Sequence, residues 1–264
     1  MKRINLILIS IIAMLLVIEF AMYSQSYTKP KMEVSYDLPK PSNVTVEIIK
    51  NKRYVLFEQA HQDQHSIYKD YTTFASLFGQ SDSSIVSEDY ERIKSLDGFD
   101  VLVLLTPNTS YSDEEIDLIT DAVSNGMTLI IIGEKNSQNI LNKVVLNFGI
   151  TYNDDYVYDL EQYFEFYKNP IISNFTSGGL TRNVNYVAIY NGCSMDIFYP
   201  AKPVALGSSS TESSSGVKKE MNLIAVSALG SGKIFAICDS DIFSNAHIKE
   251  LDNENLARNL VNWS

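Results

Sequence analysis

Three short apolar runs constrain this chain more than any other feature: RYVLFE at 53–58, FDVLVLLT at 99–106 and MTLIIIG at 127–133. Each is too short for a core helix and too continuously apolar for a strand with one wet face. Such runs fit strands buried on both sides, which requires a sheet covered by helices on both faces. The intervening segments supply those helices. In SIYKDYTTFASLFG, residues Ile67, Tyr71, Phe74, Ala75 and Phe78 recur at helical spacing and Gly79 is a stop signal. SSIVS reads as a short second strand and ERIKSL as a short helix. Ser112 stands three residues before Glu115, the capping-box spacing, ahead of the stripe Ile116, Ile119 and Val123 that Asn125-Gly126 closes. A further helix is predicted over 137–148. Strands alternating with helices in this way predict a doubly wound, mostly parallel α/β sheet.

The second half has a different texture. Residues 150–217 are rich in Tyr, Asn, Ser and Gly, with short runs such as NYVAIY and PVALG. A β-rich extension of the same domain, at about 150–230, is the expectation, with GSSSTESSSGVKKE at 207–220 as a mobile, exposed loop. NLIAVSALGSGKIFAICDS then reads as two strands around a Gly-Ser-Gly turn. The last helix, in DNENLARNLVNW, aligns Leu256, Leu260 and Trp263. One folded domain is expected over 52–264.

Ahead of it, Lys2 and Arg3 precede an apolar run from Ile4 to Met22, long enough to cross a bilayer. Residues 1–24 are expected to be a membrane anchor, or alternatively a cleaved signal. Residues 25–51, with Pro30, Pro39 and Pro41, are expected to form an extended stalk. The positive residues before the span place the N-terminus in the cytoplasm and the domain outside, in a single-pass cell-membrane protein. A net charge of -11 excludes nucleic acid as a partner. Sequons at Asn43, Asn108, Asn174 and Asn262 fit an outside location. Cys193 and Cys238 could pair in an oxidising compartment, but two cysteines make no framework, and Cys238 reads as a small buried thiol in a strand.

The polar motifs cluster after strands. GSGK at 230–233 lacks the first glycine and the terminal hydroxyl of a phosphate loop, so it reads as a hairpin turn. EQAHQDQH at 58–65 offers Glu58, His61, Asp63 and His65 at the carboxyl end of a strand, where open α/β sheets bind ligands. Its spacing matches no zinc pattern, and a hydrogen-bonding cluster that positions the loop is the simpler reading. Glu134 occupies the turn after the 127–133 strand. In CDSDIFSNAH at 238–247, Asp239 and Ser240 emerge at a strand end, where they can cap backbone N–H groups or face the same cleft as His61.

The ordered series VLFEQAHQDQHSIYKDYTTFASLF, FDVLVLLTP, YSDEEIDLITDAVSNGMTLIIIGE, NILNKVVLNFGI and GSGKIFAICDSDIFSNAHIKELDNENLARNLVNW resembles the class I glutamine amidotransferase-like superfamily. Within it, the chain is similar to the non-catalytic branch. That branch holds membrane-anchored domains of unknown function, auxiliaries of gliding-motility ABC transporters and a domain of an intraflagellar-transport subunit. The resemblance implies a flavodoxin-like sheet with a ligand-facing carboxyl edge. It also exposes a departure: the elbow that carries the nucleophilic cysteine in amidotransferases carries Glu134 here, so no catalytic residues carry over. The expected function is a membrane-anchored, extracytoplasmic binding or scaffolding domain without catalysis or cofactor, engaging a protein partner in a membrane complex. Its candidate surface is Glu58, His61, Gln64, Asn108, Glu134, Asp239, Asp241 and Asn253. The alternatives are a carbohydrate or peptide hydrolase using Glu58 or Glu134 with Asp239, and a divalent-metal protein built on His61 with Asp239 or Asp241.

Overall fold

The structure, a computed structural model, describes residues 52–61, 64–81, 83–88 (backbone alone at 84–88), 93–217 and 220–264. The expected anchor and stalk lie outside the described residues, as do Asp63 and the sequon at Asn43. Among the described residues no helix is long and apolar enough to cross a membrane.

The strands are β1 (Arg53–Glu58), β2 (Ser83–Glu88), β3 (Val101–Leu105), β4 (Thr128–Ile132), β5 (Ile150–Tyr152), β6 (Val157–Asp159), β7 (Ile171–Ile172), β8 (Asn174–Phe175), β9 (Val187–Ala188), β10 (Met195–Ile197), β11 (Lys202–Leu206), β12 (Thr211–Ser213), β13 (Asn222–Leu229) and β14 (Gly232–Ile237). The α-helices are α1 (Thr72–Gly79), α2 (Asp113–Ser124), α3 (Gln138–Val145) and α4 (Asn253–Trp263). The main sheet runs β2-β1-β3-β4-β14-β13-β10-β5, with β11 and β8 branching from β13. From β2 to β14 every neighbouring pair is parallel; β13, β10 and β5 continue the sheet antiparallel. The molecule is thus a mixed α/β fold with a mostly parallel centre and an antiparallel flank.

Side chains alternate along a strand, so each central strand feeds two cores. Val55, Phe57, Val101, Val103, Phe235 and Ile237 pack with Phe74 and Phe78 of α1 and Leu256 and Leu260 of α4. Leu56, Leu102, Leu104, Leu129 and Ile234 pack on the opposite face with Ile116, Ile119 and Val123 of α2 and Leu141 and Val144 of α3. All five residues of β3 and all five of β4 are buried, as their unbroken apolar runs require. The β13–β14 hairpin turns at Gly230, whose φ of 57° suits glycine. A Cβ at Gly232 would collide with the Val123 carbonyl oxygen, so the turn can seat against the end of α2.

Several local expectations change. Residues 93–96 of ERIKSL are irregular; the Ile93 N–H donates to Glu115 Oε1 at 2.8 Å in place of a helical bond. The first helix begins only at Thr72, because Asp70 draws the Ser66 N–H to its carboxylate (2.8 Å) and holds 66–71 in turns. The low-complexity stretch carries β12, paired with β6. Asp159 explains why: its buried carboxylate accepts from the Glu161 and Gln162 amides and from the hydroxyls of Ser208, Ser210 and Thr211 at 2.8–3.2 Å. Polar composition suggested a free loop, but three of its hydroxyls converge on this one acceptor and tie it down. Cys193 and Cys238 form a disulfide, with Cα atoms 5.2 Å apart. The free-thiol reading of Cys238 is therefore corrected.

Candidate functional site

The carboxyl ends of the parallel strands carry two separate polar clusters. The first lies between β1 and β3, where the chain order reverses from β1-β2 to β1-β3. Glu58, the last residue of β1, is 1 % exposed. Its Oε1 accepts from the Ala60 N–H at 2.5 Å and from His61 Nδ1 at 3.0 Å, and its Oε2 accepts from the Tyr111 hydroxyl at 2.9 Å. The other imidazole nitrogen, His61 Nε2, lies 3.3 Å from Glu115 Oε1. The rings of His61 and Tyr111 are 4.0 Å apart. Two carboxylates thus clamp one buried imidazole. Burial pulls the His61 pKa down, but its hydrogen bond to Glu58 and the charges of Glu58 and Glu115 outweigh that and raise it above the ordinary histidine value. Burial likewise works against the Glu115 anion, while the Ser112 and Ile93 amides and the charge of His61 lower its pKa below the usual carboxylate value.

Backbone bonds lock the surrounding loops. Asn108 N and Thr109 N donate to the His61 carbonyl at 2.9 and 3.1 Å, and Gln64 N donates to the Thr106 carbonyl at 3.3 Å. Gln64 and Asn108 also meet through side chains at 3.2 Å, on the exposed rim. Thr106 sits at a φ of 42°, strained for a β-branched residue. Its buried hydroxyl has no hydrogen-bond partner among the described residues.

The second cluster lies at the ends of β4 and β14. Asp239 is 1 % exposed; its oxygens accept from the Tyr190 and Asp241 amides, each at 2.8 Å. Burial dominates, and its pKa is pushed up to about 8 despite those amides. The Ser240 hydroxyl donates to Glu134 Oε2 at 3.1 Å, and the Tyr71 hydroxyl donates to the Ser240 carbonyl. Asn253, at the start of α4, accepts from the Ala188 N–H at 3.3 Å and donates to the His247 carbonyl at 3.0 Å. Asp239 and Asn253 therefore hold the 188–190 segment of the β-rich extension against the sheet edge. The disulfide does the same beside them, and a Cβ at Gly192 would strike the Cys238 carbonyl.

Of the sequence-derived candidates, Glu58, His61, Gln64 and Asn108 converge at β1/β3, and Glu134, Asp239, Asp241 and Asn253 belong to the β4/β14 side. The expected facing of His61 and Asp239 does not occur. Strands β3 and β4 separate their parent strands, roughly 14 Å at normal strand spacing. Both nitrogens of His61 already have partners. Glu115 and Tyr111 escaped the sequence reading as site members: Glu115 read only as a helix cap, a role it also fills, accepting from Ser112 N at 2.8 Å. The signal was present in its position, one turn into the helix that follows β3. Among the described residues no group of three or more His, Cys, Asp or Glu is arranged to hold a metal ion. A cavity of ≈ 390 Å³ lies elsewhere, in the β-rich part, lined by residues including Asp155, Ser194, Asp196, Ser213 and Glu220.

The fold has solved counterparts. The chain is similar to the mmIFT52 N-terminal domain, with a TM-score of 0.69 and 17% identity over 79% of this chain and 96% of that one. It is also similar to the cytoplasmic protein STM1381 from Salmonella typhimurium LT2, at a TM-score of 0.53 and 13% identity over 80% of this chain and 98% of that one. A ThuA-like protein from Parabacteroides merdae aligns at a TM-score of 0.51 and 12% identity, covering 80% of this chain and 88% of that one. At these identities the likeness is one of fold alone. No curated protein matches the chain. A family model does match, over residues 71–261, which takes in α1 to α3, most of α4 and the second cluster. The chain belongs to DUF4350, a family defined as a domain of unknown function.

Proposed function

We propose that this is a non-catalytic binding or scaffolding domain, held at the outer side of a membrane and serving as an auxiliary to a transport or cell-envelope system. One observation carries the reading. The crevice between β1 and β3, where flavodoxin-like sheets bind their ligands, is filled by the protein's own Glu58, His61, Tyr111 and Glu115. Groups that would act on a substrate are instead spent on each other, and the loops over them are tied by backbone bonds. The finer kinship with amidotransferase-like proteins fits the same reading, because Glu134 stands where a nucleophilic cysteine would be needed. The disulfide supports an oxidising compartment, since such bonds are rare in most cytosols. The anchor rests on the apolar run before Met22.

The hydrolase reading draws on Asp239, whose raised pKa is what a general acid needs. Both its oxygens are occupied by amides in a buried position, however, so it has no free face for a substrate. The working surface on the proposed reading is the outer rim, with Gln64, Asn108, Glu134 and Asp241. Affinity capture on the full-length protein in detergent, compared with a Gln64→Ala, Asn108→Ala, Glu134→Ala variant, tests it. Loss of a co-purifying membrane component is expected. An identical set of captured proteins from both would remove this rim as the interface.

A further inference from the structure

The end of the domain opposite both clusters carries an exposed apolar patch. Leu146, in the 3₁₀ turn after α3, is 62 % exposed; Phe198 is 60 % and Tyr199 96 % exposed, in the loop between β10 and β11. The two stretches are joined at Gly149, whose N–H donates to the Leu146 carbonyl at 3.1 Å and whose carbonyl accepts from the Phe198 N–H at 2.7 Å. A Cβ at Gly149 would strike the Phe198 carbonyl, so the close approach depends on glycine. Exposed Lys143 and Lys202 flank the patch, in a chain whose net charge is -11.

This is also the end at which the chain enters the domain. Arg53, at the start of β1, donates to the Ser264 carbonyl at 2.9 Å, and Lys233, at the start of β14, donates to the Trp263 carbonyl at 2.7 Å. The Ser227 hydroxyl, paired across from Ile234 near that same end of β14, donates to the Phe148 carbonyl at 2.6 Å. Lys52, Trp263 and the Leu146–Phe198–Tyr199 patch therefore share the amino end of the parallel strands. Fifty-one residues precede Lys52, and they contain the apolar run.

We propose that Leu146, Phe198 and Tyr199 seat the domain on the lipid interface of the membrane that holds its own N-terminal segment. The chemistry suits a bilayer interface: an aliphatic and two aromatic side chains, one with a polar tip, dip into the headgroup layer while two lysines meet phosphates. Asp97 and Asp121 lie at the same end but beside β3, lining a separate hollow with Leu96 and Phe99. The contact is thus made by the β5 and β10 side of the domain, which tilts the opposite rim with Gln64 and Asn108 toward the aqueous phase.

The inference rests on the anchored reading, and the experiment separates the two. The full-length protein carrying Trp263→Phe and Tyr199→Trp is reconstituted in phosphatidylcholine nanodiscs, plain or brominated in the acyl chains, whose belt protein has had its tryptophans replaced. Trp263 is the native chain's single tryptophan, so emission then comes from position 199 alone. Blue-shifted emission that brominated lipid quenches is expected, with both effects lost on adding Leu146→Ser and Phe198→Ser. Protein that stays in the nanodisc but shows unquenched, water-like emission overturns the docking and leaves the anchor standing. Protein that does not stay in the nanodisc at all overturns the anchored reading and this inference together. All substituted positions in the patch are exposed, and far-UV circular dichroism checks that each variant is folded.

Discussion

At the scale of single residues, the behaviour of this domain turns on three buried ionisable groups. His61 has a folded pKa above its unfolded value near 6.5, so its contribution to stability is complete below that value and is lost as pH rises through the folded one. Glu115 has the opposite sign: its contribution is present above about 4.5 and is lost as pH falls through its lowered folded pKa. Asp239 binds its proton more tightly in the folded state, so it favours folding at low pH and ceases to do so as pH rises from 3.8 to about 8. Stability should therefore fall between pH 6.5 and 8, where His61 and Asp239 act together, and Asp239→Asn should flatten that slope in urea titrations. Glu115→Gln should lower the His61 pKa read by NMR and cost about 1–3 kcal/mol, because a buried hydrogen bond to a charged group loses its charge. An unchanged His61 titration would mean that Glu115 caps its helix and nothing more. The sequence showed Glu58 and His61 at a strand end, but it could not show that Glu115 reaches back to them, because that contact depends on how β3 and α2 pack.

At the scale of elements, the central strands and the four helices were legible because burial on both faces leaves an unmistakable apolar run and amphipathic helices leave a stripe. What stayed hidden was set by side chains acting across long separations. Asp159 organises Ser208, Ser210 and Thr211 from some fifty positions away, which no local pattern reveals. Residues 93–96 of ERIKSL depart from the expected helix because Ile93 found a better acceptor in Glu115. The disulfide follows the same logic: Cys193 becomes a neighbour of Cys238 only once Tyr190 and Gly192 are pinned to the end of β14. With 45 positions between its ends, it should contribute about 4 kcal/mol on a chain-entropy account. Cys193→Ser with Cys238→Ser should lower the thermal midpoint accordingly and raise proteolysis between 153 and 194. A midpoint unchanged by the double substitution, or by reductant, would show that Asp239 and Asn253 suffice to hold the extension.

At the scale of the whole molecule, one sheet separates the two cores, and α1 with α4 stands on one face while α2 with α3 stands on the other. Neither core can dissolve without exposing strands the other needs. Urea unfolding followed by Trp263 emission should coincide with unfolding followed by far-UV circular dichroism. Separated midpoints would mean that the β-rich extension melts on its own. The order of the sheet has a further consequence in time. β14 occupies the middle of the sheet, between β4 and β13, yet it is made about a hundred residues after β4. Until β14 leaves the ribosome, β4 lacks one of its two neighbours and the β-rich extension has no edge to close upon. Contacts of such long separation delay folding. A polypeptide wired in this way closes its sheet late and in one step, because the parallel centre and the antiparallel flank can meet only after β14 has been made.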